Sequence, residues 1–233
     1  MIDPSNRPVP RPVGRVEAVV LADGDPVGVG YVDDLPAATF VVAADGGLRL
    51  AGPLGLAVDL VIGDLDSVDP DQLDAAAAAG ARVERHPVAK DATDLALALD
   101  AAVAAGATRV TVVGGAGGRA DHLLANWLIL AGSAYAAVDV RAWSAVARTD
   151  VVRAGRMTQL DAPVGSVVSL LPVHGPARGI TTTGLRYPLT DGELPPGSSR
   201  GVSNQMSAPH ATVVLTDGVL LAVRPLTHIG APT

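Results

Sequence analysis

Leu56–Ile62 (LAVDLVI) runs directly into Gly63-Asp64-Leu65-Asp66-Ser67, and this join of an apolar run to an acidic turn decides how the chain is read. A run of aliphatic and β-branched residues without polar alternation suits a strand covered on both faces. Three further runs have the same form. Val16–Leu21 (VEAVVL) leads to Ala22-Asp23-Gly24-Asp25, Ala38–Ala43 (ATFVVA) to Asp45-Gly46-Gly47, and Arg109–Val113 (RVTVV) to Gly114-Gly115. Between them, Asp69–Ala79 and Thr93–Ala105 read as helices, the second carrying Leu95, Leu97, Leu99 and Val103. Strands alternating with helices predict an α/β fold with a mainly parallel, Rossmann-like sheet flanked by helices. In such sheets ligands bind beyond the carboxyl ends of the strands. All four runs end there in Gly, three of them with Asp beside it, residues that admit close backbone approach and polar chemistry rather than packing.

From about Asp150 the pattern changes. Pro, Gly and Thr rise and long helical periods stop. Gly165–Pro172 reads as a strand, and Ala211–Thr216 and Val219–Val223 flank Asp217-Gly218, a strong hairpin signal. Short strands with turn signals predict a smaller C-terminal β-sandwich. The expected division is a Pro-rich disordered tail at 1–15, an α/β domain at 16–150 and a sandwich at 151–233, with the boundary near Thr149–Ala154.

Composition narrows the function. The 233 residues include 24 acidic and 17 basic side chains, a formal charge of −7, which argues against a nucleic-acid binder. There is no cysteine, which excludes disulfides, zinc–thiolate sites and cysteine nucleophiles. Leu123–Val138 is apolar but shorter than the roughly 20 residues of a membrane span, and Asn126 and Ser133 interrupt it. It reads as a buried helix followed by the start of a strand. With no targeting segment in view, a cytoplasmic location is expected and no membrane partner.

Four clusters carry the chemistry: Asp45-Gly46-Gly47; Gly63-Asp64-Leu65-Asp66-Ser67; Lys90-Asp91-Ala92-Thr93-Asp94; and Gly114–Gly118 followed by Arg119-Ala120-Asp121-His122 and Asn126. In an extended segment Asp64 and Asp66 point the same way. Two carboxylates on one side make a hard oxygen site suited to Mg²⁺, to which Asp91 or Asp94 can add. Lys90 and Arg119 supply cations for phosphate oxygens. Metal, cations and Gly-rich turns together are the parts of a phosphoryl-transfer site. Singly, each part has a plainer reading. Asp66, Asp91 and Asp121 suit helix N-caps, Lys90 suits a solvated side chain, and the glycine run is no Walker A loop because no Gly-Lys-Ser/Thr follows. His122 suits a helix start, and Asn126, one turn later on the same face, suits a positioning role.

In this order the clusters resemble the thiamine diphosphokinase family. The likeness continues through Val168-Ser169-Leu170-Leu171-Pro172, Gly179-Ile180-Thr181-Thr182, Gly184-Leu185, Tyr187-Pro188-Leu189 and Gly201-Val202-Ser203-Asn204, and so runs from about residue 16 to 224. Three positions depart from the family pattern: Leu65 replaces the commoner Phe, Gln205 stands where many bacterial members have Glu, and Asp23 interrupts a usually Gly-rich strand end.

The resemblance implies transfer of a diphosphate from ATP to the hydroxyl of thiamine, with Mg²⁺, in a homodimer whose site lies at the subunit interface. By matching position it implies Asp64, Asp66 and Asp94 as metal and diphosphate-handling carboxylates, and Lys90, Asp91, Thr93 and Arg119 at the ATP phosphates. Asp45, Asp121, Ser203 and Asn204 would lie at thiamine, with Asp121 or Asp94 accepting the hydroxyl proton. Rival readings are a diphosphokinase of the same fold acting on another alcohol, such as a hydroxymethylpterin, and a non-catalytic nucleotide or thiamine diphosphate sensor. A Rossmann dehydrogenase is disfavoured because no G-x-G-x-x-G follows the first strand.

Overall fold

The computed structural model describes residues 16–27 and 35–226; the expected tail at 1–15 lies outside them. The described residues form two compact units, 16–23 with 35–111, and 24–27 with 112–226. The composition change near Asp150 thus falls within the second unit.

The first unit holds β1 (Val16–Ala22), β2 (Phe40–Ala44), β3 (Leu60–Gly63), β4 (Arg82–Arg85), α1 (Pro70–Ala78), α2 (Asp94–Ala104) and the start of β5 (Ala107–Gly114). Strands β1 to β4 pair in chain order, all parallel, and β5 lies on the other side of β1. Every residue of β2 and β3 is buried, as a strand covered on both faces requires. Helix α2 buries Leu95, Ala98, Leu99 and Ala102, one face at helical spacing, against β1, β2 and β3. Helix α1 buries none of its residues. Its start is fixed locally: Pro70 sits in the first turn and the Asp69 carboxylate accepts the N–H groups of Asp71 and Gln72. Strand β4 (RVER) carries no apolar run and was not expected. It is an edge strand, where charge discourages pairing with other chains and removes the hydrophobic signal.

The second unit contains α3 (Ala120–Leu130), β6 (Asp139–Trp143), β7 (Ala147–Arg153), β8 (Thr158–Asp161), β9 (Val167–Pro172), β10 (Ala177–Thr183), β11 (Gly192–Leu194), β12 (Asn204–Gln205), β13 (His210–Val214) and β14 (Val219–Pro225). Strands β12-β9-β14-β7-β6 form one antiparallel group and β11-β10-β13-β8 the other sheet. Val152, Val168, Leu170, Leu220 and Ala222 from the first meet Leu160, Ile180, Leu194, Ala211 and Val213 from the second in one core. This is the expected C-terminal sandwich. Arg224 ties its two layers at one end: it pairs with Asp150 of β7 and donates to the carbonyl of Asp161 in β8 (2.7 Å). Burial pushes the Asp150 carboxyl up, against the pull of Arg224.

Two expectations are corrected. Asp217-Gly218 does not close a hairpin: β13 pairs with β8 and β10, β14 with β7 and β9, so the turn carries the chain from one sheet to the other. Glycine is needed there for another reason. Gly218 has φ 89°, and a Cβ on it would strike the carbonyl oxygen of Pro176. Nor is Leu123–Val138 a buried helix. In α3 only Leu130 is buried, Leu124 is 58% exposed, and β6 begins at Asp139 after a 3-10 turn at Ser133–Tyr135. The C-terminus of α3 is held by Arg153, whose guanidinium donates to the carbonyls of Leu130 and Gly132. No helix among the described residues is long and apolar enough to cross a membrane.

Gly218→Ala is expected to lower the unfolding free energy by about 2 kcal/mol through left-handed backbone strain and the Pro176 contact. Urea unfolding followed by circular dichroism measures this; an unchanged midpoint contradicts the close approach.

Candidate functional site

The first unit gathers its acidic residues where β2, β3 and the start of α2 end side by side. Asp45 follows β2 with φ 46°, and Leu65 lies between Asp64 and Asp66 with φ 63°. The segment after β3 is therefore a turn, not the extended chain that the Asp-x-Asp spacing suggested. Leu65 is 7% exposed and anchors the turn in the core. Left-handed backbone at a non-glycine residue costs on the order of 1 kcal/mol and concentrates at functional sites. Gly63 makes the convergence possible. A Cβ there would lie 2.9 Å from Asp94 Oδ1 and 3.1 Å from Asp45 Cβ, and its φ of 147° is itself strained for any other residue.

Asp45, Asp64 and Asp66 each place a carboxylate oxygen within 4.8 Å of the others, the one such group among the described residues. Asp94, which the family resemblance also places at the metal, lies beside this group, its Oδ1 paired with Lys90 at 3.0 Å. Asp45 Oδ1 is buried and has no hydrogen-bond partner. Burial pushes the Asp45 carboxyl up, and the charges of Asp94 and Asp64 push it the same way, against the Gly46 N–H and the Ser67 hydroxyl. Asp66 is exposed and accepts the Ser67 hydroxyl at 3.0 Å.

Lys90 lies against the same cluster, with its side chain 13% exposed. Its Nζ is 2.9 Å from Asp64 Oδ2 and 3.0 Å from Asp94 Oδ1. The Lys90 bond, above all, holds the Asp64 carboxyl below its ordinary value, aided by the Asp66 N–H, and it raises the ammonium in turn. Asp94 opens α2, where a negative charge faces the positive helix end. Thr93 is the N-cap of α2, its hydroxyl accepting the Ala96 N–H at 3.2 Å. Asp91 is exposed. The residues that cap α1 and α2 are Asp69 and Thr93, so neither Asp66 nor Asp91 is an N-cap.

In the second unit the Gly-rich turn after β5 is pinned from two sides. Asn126 Nδ2 donates to the Gly115 carbonyl (2.9 Å) and the Asp25 N–H to the Ala116 carbonyl (2.6 Å). A Cβ on Gly117 would lie 2.6 Å from the Asp25 nitrogen. Arg119 stands at the α3 cap position without a capping bond. It grips Asp121 with two contacts, 3.2 Å from Nε and 2.6 Å from Nη2, both side chains being about two-thirds exposed. That guanidinium brings the Asp121 carboxyl down to about 2. Asp121 is therefore an ion-pair partner in the first turn of α3, not its cap. His122 is exposed.

Ser203 and Asn204 enter β12 in the same unit. Ser203 has φ 59° and donates its N–H to Ser169 Oγ (3.1 Å). The Asn204 side chain is committed to the backbone. Its Oδ1 accepts the N–H groups of Tyr187 (3.0 Å) and Gln205 (2.8 Å), and its Nδ2 donates to the Tyr187 carbonyl (2.7 Å). Tyr187 is thereby held while 60% exposed, and the Arg186 guanidinium lies 5.6 Å from its ring centroid. Gln205, where a Glu was expected from the family pattern, accepts from Arg186 Nη1 at 2.9 Å. The grip of Asn204 on residue 187 was not legible in the sequence, since 17 positions separate the two.

Comparison with known proteins covers both halves of the chain. The family described as thiamin pyrophosphokinase, catalytic domain, matches residues 33–141, and that described as thiamin pyrophosphokinase, vitamin B1 binding domain, matches residues 157–220. The thiamine pyrophosphokinase of Bacillus subtilis (strain 168) is 26% identical over 195 residues, 84% of this chain and 90% of that protein. Crystal structures of thiamin pyrophosphokinases share the fold. The one from Bacillus subtilis has a TM-score of 0.78 at 24% identity, covering 91% of this chain and 99% of that one. The one from Candida albicans has a TM-score of 0.70 at 14% identity, covering 96% and 97%. With the catalytic-domain and vitamin B1-binding-domain families matched in order along it, the chain belongs to the thiamin pyrophosphokinase family, enzymes that form thiamine diphosphate from thiamine and ATP.

Proposed function

We propose that this chain transfers the diphosphate group of ATP to the hydroxyl of thiamine at a centre in which Asp45, Asp64 and Asp66 hold Mg²⁺. The observation that carries the metal assignment is the convergence of these three carboxylates, one of which, Asp45, has an oxygen buried without a partner. Crowded anionic oxygens, one of them desolvated, are unfavourable alone and suit a hard divalent cation that prefers oxygen ligands. Once bound, Mg²⁺ neutralises charge on the phosphate oxygens.

The chain's own residues do the rest. The thiamine oxygen attacks the β-phosphorus, the bond from that phosphorus to the oxygen bridging to the α-phosphate breaks, AMP leaves, and the hydroxyl proton passes to a carboxylate. Lys90 and Arg119 share phosphate charge. Thr93 orders the first turn of α2, whose positive end favours an anion, with Asp91 beside it. The candidate proton acceptors are Asp94, which pairs with Lys90, and Asp121, which pairs with Arg119. Ser203 and the segment that Asn204 fixes at Tyr187 form the thiamine side, in keeping with the vitamin B1-binding match. On this reading 16–150 is the nucleotide-binding catalytic domain and 151–233 the thiamine-binding domain. The working form is a cytoplasmic homodimer with the site at the subunit interface. The half-buried apolar face of α3, with Leu124 exposed, supports a partner surface.

AMP release from ATP should require both Mg²⁺ and thiamine, give thiamine diphosphate by mass, and stop on metal chelation. A pterin alcohol replacing thiamine would overturn the substrate, and AMP release unaffected by chelation would overturn the metal. Asp64→Asn is expected to lower kcat by about 10²–10³-fold with the circular dichroism spectrum retained. Asn204→Ala removes three side-chain hydrogen bonds. It should raise the thiamine KM about tenfold, with kcat within about threefold, and reduce stability by about 1–3 kcal/mol. A kcat loss with KM unchanged would place Asn204 in the chemical step instead.

A further inference from the structure

Asp64 belongs to two arrangements at once. Its Oδ2 takes the Lys90 ammonium at 2.9 Å, while the residue also supplies an oxygen to the triad with Asp45 and Asp66. Lys90 is held further by Asp94, at 3.0 Å, and two features of its surroundings point one way: its side chain is largely buried, and it bridges two carboxylates. An ammonium in that position is a resident cation set against the place where a divalent ion would add. Like charges a few ångströms apart in a partly buried site repel by an amount that alters binding about tenfold or more.

We propose that Lys90 acts as an internal counter-ion that keeps the acidic triad weak for metal until a nucleotide triphosphate draws its ammonium off Asp64, so that metal and nucleotide are taken up together. The inference rests on the metal reading above and adds to it a coupling between the two ligands. Such coupling is reciprocal: whatever nucleotide does for metal affinity, metal does for nucleotide affinity. The chemistry that moves Lys90 is a polyphosphate, whose oxygens carry more charge than the one carboxylate they replace and bind a flexible, point-charge ammonium well. A nucleoside monophosphate, the chemical class of the leaving group, offers fewer such oxygens. The same device then loosens metal after AMP is formed.

The test is Mn²⁺ binding by electron paramagnetic resonance, on the full chain, alone and with α,β-methylene-ATP, whose bridging carbon blocks transfer. The ternary complex is distinguished from Mn²⁺–nucleotide in solution by its line shape. Lys90→Met removes the charge at similar length, and Lys90→Gln keeps a polar end. For both, Mn²⁺ should bind the protein alone about tenfold more tightly than wild type, and the gain from the nucleotide analogue should shrink by a similar factor. Unchanged Mn²⁺ affinity in both variants, or an undiminished gain, overturns the counter-ion role while leaving the metal centre standing. Failure of every form to bind Mn²⁺, with or without the analogue, overturns the metal reading and this inference with it.

Discussion

Four carboxylates, those of Asp45, Asp64, Asp66 and Asp94, crowd the ends of β2 and β3 and the start of α2, and their mutual repulsion is the constraint around which the first unit is arranged. Nothing about the acids themselves favours that gathering. It is held by packing that would be in place regardless: fully buried β2 and β3, the apolar stripe of α2, and Leu65 driven into the core from the tip of the turn. Hydrophobic burial of this kind contributes about 1.5–3 kcal/mol per large side chain, enough to keep left-handed backbone at Asp45 and Leu65 and to leave one carboxylate oxygen buried without a partner. The absence of a side chain on Gly63 is the local condition, since Asp94 and Asp45 occupy the space it would fill.

The second unit handles polar groups in the opposite way, satisfying them completely where they define shape. Asn204 acts like a piece of backbone. Its amide bonds both the N–H and the carbonyl of residue 187, extending by one step the pairing that Leu185 makes with Met206. The Arg186 side chain then lies along Gln205 and the Tyr187 ring. A neutral amide at position 205 accepts that arginine without adding a second charge beside the ring, which is the physical content of this departure from the family pattern.

Much of this was legible from the sequence because the strands of the first unit are short, apolar and closed by Gly and Asp. β1, β2, β3 and β5 fall within a few residues of the expected runs, as do α1 and α2. β4 escaped because an edge strand made of Arg, Val, Glu and Arg carries no hydrophobic period. The Asp217-Gly218 turn misled because a glycine chosen for contact with Pro176 looks the same in one dimension as a glycine chosen for a hairpin. α3 misled because an apolar stretch records what a segment can bury, whereas Leu124 is left exposed within this chain. At the site, the residue types were readable but their grouping was not. The Asp-x-Asp spacing suggested a pair on an extended chain; a left-handed Leu65 makes the same pair in a turn and admits Asp45 as the third member.

Helix α1 has a consequence of another kind. It is fixed at its start by Pro70 and the Asp69 cap, and its last four residues, all alanine, take up helix by local preference, with no residue of the helix buried. A segment secured that way can open by itself, because none of its residues is buried and only Leu73 and Ala76 are half-buried. Its amides should exchange with solvent by local fluctuation while those of β2 and β3 wait for global unfolding. The loop-and-helix passage from Asp69 to Gly80 is then the stretch of the first unit where a protease can cut, or evolution can insert residues, with least disturbance to the carboxylates that precede it.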